Sequence, residues 1–224
     1  TSIRLLTFAG KEKTYHAWNY ASKDEMDKYG RRYNSCGEYI DENGIVKYYD
    51  DQTDNYVQTN YQLLFNRVID DNWSINAALH YTRGDGYYQE YKMKRWLQEY
   101  ALTPYIIDGN EIYKSDLVRQ KKMANDFGGA VFSLSYTNDR LNAFIGGGLN
   151  NYDGDHFGRV IWVKNYIGYL NPDHEYYRNS STKLDGNIYL KANYDITKSL
   201  SAFLDLQYRH IGYKINGTND NYDW

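Results

Sequence analysis

The sequence predicts an all-β chain, a run of about seven strands from a transmembrane, antiparallel, up-and-down β-barrel with short turns on one rim and long loops on the other. Three observations carry that prediction. Segments of roughly 11–15 residues alternate aliphatic side chains with amides and hydroxyls. Three-residue turns alternate with polar stretches of roughly thirty to forty residues, well beyond ordinary loops. Aromatic residues are abundant, with 27 Tyr and 5 Trp among 224 residues.

In order, Ile3, Leu5, Leu6 and Phe8 read as the tail of a first strand, so something is expected to precede Thr1. Residues 10–53 read as a long loop with a short helix near Ser22 to Lys28 and a turn at Asn43-Gly44. A hairpin follows, and it is the clearest stretch of the chain. Val57, Thr59, Tyr61, Leu63, Phe65 and Ile69 oppose Gln58, Asn60, Gln62 and Asn66. After Asp70-Asp71-Asn72, Trp73, Ile75, Ala77, Leu79 and Tyr81 oppose Ser74, Asn76, His80 and Thr82. Residues 84–126 read as a second long loop, with two turns of helix near Met93 to Tyr100 and a turn at Asp108-Gly109.

The next hairpin sets Ala130, Phe132, Leu134 and Tyr136 against Ser133, Ser135 and Thr137, turns at Asn138-Asp139-Arg140, and returns through Leu141, Ala143, Ile145 and Leu149. Gly146 to Gly148 mark a bend or a close strand contact. A third long loop is expected over 151–182. Leu184 to Ile196 and Leu200 to Tyr208 then form a last hairpin, with Asp185, Lys191, Asp195, Asp205 and Arg209 all opposite the aliphatic face. Residues 217–224 read as another loop.

Mean hydropathy of −0.82 and 25% charged residues resemble a soluble protein, and no apolar run approaches a spanning helix. Alternating strands keep mean hydropathy low even in a membrane wall, and amphipathic rings collect at its boundaries. A net charge of −3 and a pI near 5.9 argue against nucleic acid as a partner. A lone Cys36 excludes an internal disulfide framework and a Cys-based zinc site. The sequence opens without Met or a signal peptide, so an exported protein would have its N-terminal part elsewhere. The alternative is a secreted, soluble β-sandwich that binds glycans through surface aromatics. Strand length and the asymmetry of the connections favour the barrel.

No catalytic constellation, cofactor motif or metal-ligand spacing stands out, and the chain reads as no enzyme. Asp153-Gly154-Asp155-His156 could supply oxygen ligands to Ca²⁺ in the third loop, or be a solvated turn. Tyr87, Tyr88 and Tyr91 read either as a ligand-gathering rim or as girdle and packing aromatics. Recognition is expected from Trp18, Tyr87, Tyr88, Tyr91, Asp153 and Asp155 together.

Three runs carry a family resemblance: Asp50-Asp51-Gln52-Thr53-Asp54-Asn55-Tyr56 leading to Tyr61-Gln62-Leu63; Ala78-Leu79-His80-Tyr81-Thr82-Arg83-Gly84-Asp85-Gly86-Tyr87-Tyr88-Gln89-Glu90-Tyr91-Lys92; and Gln207-Tyr208-Arg209-His210-Ile211-Gly212-Tyr213 with Asn216-Gly217-Thr218-Asn219-Asp220-Asn221-Tyr222-Asp223-Trp224. They resemble the barrel of TonB-dependent outer-membrane receptors of gut Bacteroidetes. The resemblance covers nearly the whole chain. It implies a barrel of about 22 strands with a plugged lumen, of which residues 1–224 are a middle portion, the plug and the remaining strands lying outside. It also implies the bacterial outer membrane, active uptake of a metal chelate, cobalamin, an oligosaccharide or a peptide, TonB as partner through the plug, outer-membrane lipid around the wall, and a surface lipoprotein as a further partner.

Overall fold

The computed structural model describes residues 1–171 and 173–220. Its strands are β1 (Ser2–Tyr15), β2 (Glu38–Ile40), β3 (Val46–Tyr48), β4 (Thr53–Val68), β5 (Trp73–Trp96), β6 (Tyr105–Ile107), β7 (Asn110–Ile112), β8 (Lys114–Thr137), β9 (Leu141–Val163), β10 (Glu175–Thr197) and β11 (Leu200–Gly217). The seven long strands form one antiparallel sheet in the order β1-β4-β5-β8-β9-β10-β11, and the four short ones make two separate hairpins. Each long strand pairs with the next one in sequence, which is up-and-down topology. Among the described residues the other sheets are these two short hairpins, too small to cover the large sheet as a second layer, so the sandwich alternative fails as a fold.

The strands run past the ends that alternation marks. β5 continues to Trp96 and β8 begins at Lys114, so the expected loop 84–126 shrinks to 97–113. The expected loop 151–182 likewise shrinks to 164–174, and the first loop to 16–52. The helix expected near Met93 to Tyr100 is a single 3₁₀ turn, Leu97–Tyr100. Beyond Tyr81 the side chains are polar on both faces, so periodicity fades while the backbone ladder carries on. The short turns sit where expected. So does α1 (Lys23–Tyr29), which Ser22 starts with a capping box to Glu25. Asp108 and Gly109, both with positive φ, turn the β6–β7 hairpin. Gly146 is a close contact as expected: a Cβ there would lie 2.5 Å from the Tyr189 hydroxyl and 2.6 Å from the Phe132 carbonyl. Of the expected terminal loop, residues 221–224 lie outside the described residues.

Residues directly opposite one another share a face of the sheet. Leu5, Leu63, Leu79, Ala130 and Leu149 form one such rung, and Ile75, Leu134, Ile145, Leu190 and Leu206 another, so the aliphatic set is continuous across the strands. Leu5 is 74% exposed and Leu79 55%. Aromatic pairs bound this band at both ends, Trp73 against Tyr136 with ring centroids 4.7 Å apart and Tyr61 against Tyr81 at 6.2 Å. From Trp73 to Tyr81 the band rises about 20 Å for a strand tilted by roughly 40°.

The opposite face is concave. His80 on β5 reaches across β8 to Asn150 at 2.8 Å, and Tyr56 on β4 reaches across β5 to Asn125 at 3.3 Å; side chains two strands apart meet only on the inside of a curve. This face carries Gln62, Asn66 and Asn76, together with the ion pairs Lys191–Asp205 (3.1 Å) and Arg209–Asp185. Leu64 and Phe144 interrupt it.

The hydrophobic core proper lies at the long-loop end. Loop 97–113 folds onto the concave face, packing Leu97, Tyr100, Leu102 and Tyr105 against Leu117, Val160 and Val163. Loop 16–52 sends its β2–β3 hairpin to the other face, where Tyr39 packs on Tyr91 at 4.6 Å and Glu42 meets Lys164 at 3.0 Å.

Candidate functional site

Two neighbouring rungs above the aromatic boundary build a cleft of about 560 Å³ on the concave face. In the lower rung Glu12, Tyr56, Gly86, Met123 and His156 stand opposite one another across five strands. In the upper rung the same register aligns Thr14, Asp54, Tyr88, Lys121, Gly158 and Tyr177. Each rung holds a glycine beside a tyrosine. A Cβ at Gly86 would lie 2.6 Å from Tyr56 Cδ2, and one at Gly84 2.8 Å from Tyr56 Cζ, so the Tyr56 ring lies along β5 over both. At Gly158 a Cβ would lie 2.4 Å from ring atoms of both Tyr176 and Tyr177, so the two rings crowd that glycine together. Glycine leaves room for each ring to rest against the wall.

Above the cleft an ion network closes the wall. Glu90 and Arg119 are direct cross-strand partners. Arg119 donates from Nε at 3.0 Å and from Nη2 at 2.7 Å to Glu90 Oε2. Lys92 reaches the other Glu90 oxygen at 3.0 Å. Asp220 receives Arg119 at 3.4 Å and Lys121 at 3.0 Å, and accepts from the Tyr176 hydroxyl at 3.3 Å. Burial pushes the Glu90 carboxyl up, but Arg119 and Lys92 outweigh it and hold the group below its ordinary value. Burial pulls Lys121 down, with Arg119 adding to the effect. Burial also raises the Tyr88 phenol, and it pushes Tyr177 up to about 12, so both hydroxyls stay protonated donors.

His16 and Trp18 tie loop 16–52 to this wall. The two rings stack at 3.7 Å, and each meets Tyr88 edge-on. His16 is 3% exposed, and neither of its ring nitrogens has a hydrogen-bond partner. Burial lowers its pKa, against the opposing pull of Glu90 and Asp54.

The expected site residues divide between the two faces. Tyr88 and Trp18 meet on the concave side. Tyr87 and Tyr91 alternate with Tyr88 and so point to the other face. There Tyr87 lies under Lys122 (5.4 Å), and Tyr91 donates to Asp116 at 2.9 Å beneath the β2–β3 hairpin. Asp153 and Asp155 stand on strand β9, not in a loop, on the face of Tyr87. Asp155 holds Arg178 at 2.9 Å, Asp153 accepts from Asn151, and no group of three metal-ligating side chains occurs among the described residues. His156, expected beside Asp153 and Asp155, stands on the opposite face from them, and Glu12, Asp54, Tyr56, Lys121 and Tyr177 are not among the expected site residues. Their signal, a shared rung, exists only once the register is known.

No family model matches the chain, and no curated protein matches it. Among solved structures the chain is similar to the ferric-catecholate import receptor Fiu from Escherichia coli K12, with a TM-score of 0.52 and 11% identity over 96% of this chain. The chain spans about a third of that receptor's length, 32%. The likeness is one of fold: seven antiparallel, up-and-down strands arranged as in about a third of that receptor.

Proposed function

We propose that the chain is part of an outer-membrane receptor that actively takes up a scarce nutrient, TonB supplying energy through a plug outside residues 1–224. The observation that carries this reading is the pair of faces. One is an aliphatic band, bounded by Trp73–Tyr136 and Tyr61–Tyr81, with no protein layer over it among the described residues; the other is concave and polar, with a cleft on the long-loop side. Lipid suits the first face, and a wet lumen the second. The fold shared with Fiu supports the same reading, while the kinship to Bacteroidetes receptors rests on the sequence runs alone. The long-loop end would be extracellular, and the cleft there would meet the ligand first.

The test is fractionation and uptake with the full-length product. It should require detergent for extraction from outer membranes, and uptake should stop when the inner membrane is de-energised. Recovery in the periplasm or medium without detergent would remove the proposal.

A further inference from the structure

Resting on that reading, we infer that the cleft selects a neutral, polyhydroxylated ligand, an oligosaccharide, rather than a polyanionic metal chelate. The first argument is shape. Tyr56 is held along the wall over Gly84 and Gly86, so its ring face is the surface offered to the cleft, and Tyr177, packed beside Tyr176 against Gly158, adds a second fixed ring to the lining. A flat aromatic face matches the C–H face of a sugar ring, and it holds that face at small entropic cost because the ring is already fixed. The Tyr56 hydroxyl is spent on Asn125 at 3.3 Å, which fixes the platform further.

The second argument is charge. A polyanion needs uncommitted cations, and the cations here are committed. Arg119 lies between Glu90 and Asp220, Lys121 sits on Asp220, and Lys122 lies against the Tyr87 and Phe157 rings. Lys122 borders the cleft with its charge turned to those rings, and the charged side chains without an ion pair that face the cleft from the concave side are carboxylates. Glu12 accepts only from the Thr14 hydroxyl, at 3.3 Å, and Asp54 has no ion pair among the described residues. Carboxylates accept strongly from sugar hydroxyls and repel a polyanion, so the same two residues attract one class and reject the other. His156 on the lower rung adds a ring nitrogen to the cleft lining.

The experiment is calorimetric titration of the full-length receptor in detergent. The probes are short, neutral gluco-, manno-, xylo- and galacto-oligosaccharides, and a ferric tris-catecholate complex. At least one neutral oligosaccharide should bind saturably and more tightly than the ferric complex. Tyr56→Leu and Tyr177→Leu should each weaken it by about tenfold, Tyr56→Phe should keep it, and Asp54→Asn should weaken it by a few-fold. Heat-modifiable migration on gels shows that each variant still forms the barrel. Three results would overturn the inference: tighter binding of the ferric complex, binding by no oligosaccharide, or sugar binding unchanged in both Leu variants. Tight binding of the ferric complex would still leave the uptake receptor standing, whereas soluble recovery of the full-length protein would remove both readings.

Discussion

Below Tyr81, strand β5 sorts its side chains into an aliphatic face and an amide face; above it, the same strand carries polar or aromatic residues on both. The lower half has no core of its own, since its large apolar side chains are exposed on one side and its polar ones line a hollow on the other. The upper half is built as a soluble protein is, with a buried apolar cluster, a buried ion network and loops packed on both faces. One backbone ladder therefore serves two solvents. What changes at Tyr61 and Tyr81 is the medium that each half is made to meet.

The largest effect should come from the edges. β1 and β11 each have a single neighbour in the sheet, and unpaired backbone groups in hydrocarbon cost several kcal/mol apiece. Residues 1–224 expressed alone should aggregate, and a detergent-free, monodisperse monomer in light scattering would contradict the lower-half assignment. In the upper half, Glu90→Ala removes the nearer carboxylate from the Arg119 guanidinium, whose side chain is 2% exposed, while Asp220 stays at 3.4 Å. Losing the only partner of a buried charge costs about 3–5 kcal/mol, so with Asp220 in place the cost should fall below that. Hydrogen exchange should show this in strands β5 and β8 above Tyr81 and leave the residues below it unchanged.

Ala77→Arg puts a charge midway along the aliphatic band and should destabilise assembly by about 2–4 kcal/mol. A charge at His80, on the concave face, should be far milder, and equal effects in urea titrations would end the lipid-facing assignment. Tyr91→Ala removes the ring on which Tyr39 and Tyr49 pack and should cost about 1 kcal/mol in docking of the β2–β3 hairpin. Tyr87→Ala should leave that docking alone. Protease nicking within residues 38–48 reads the difference.

The smallest effect is on pH. Burial holds His16 below its ordinary value of 6.5, so the folded loop keeps the neutral ring and the detached loop takes up the proton first. The contribution of His16 is therefore full above about 6.5 and lost as pH falls through the lower, folded value. Amide exchange over residues 16–20 should rise on acidification, and the rise should flatten in His16→Phe.

The same division explains what the sequence could show. Between Trp73 and Tyr81 each residue meets either lipid-like or water-like surroundings, so composition alternates and the strand is legible. From Arg83 to Trp96 both faces are wet or loop-covered, and hydrogen bonds to β8 hold the strand without any composition pattern. The long loops expected there were strand for this reason. Site residues were legible by type but not by face: Tyr87, Tyr88 and Tyr91 look alike in sequence, yet alternation sends the Tyr88 ring to the concave face and the Tyr87 and Tyr91 rings to the other, Tyr87 still bordering the cleft. The Glu90–Arg119 pair, 29 residues apart, becomes visible only through register.

The height of the extended wall has an electrostatic consequence. Tyr88 stands seven residues beyond Tyr81 along β5, about 18 Å further up for a strand tilted by roughly 40°. With Tyr81 at the bilayer boundary, that is more than two Debye lengths at physiological salt, each about 8 Å. The surface potential of the membrane falls to roughly a tenth over that distance. A charged membrane surface would thus neither draw ligands to the cleft nor drive them from it. Changes in the charge of the surrounding lipid should leave the ligand on-rate unaltered, while Glu12 and Asp54 set the local field.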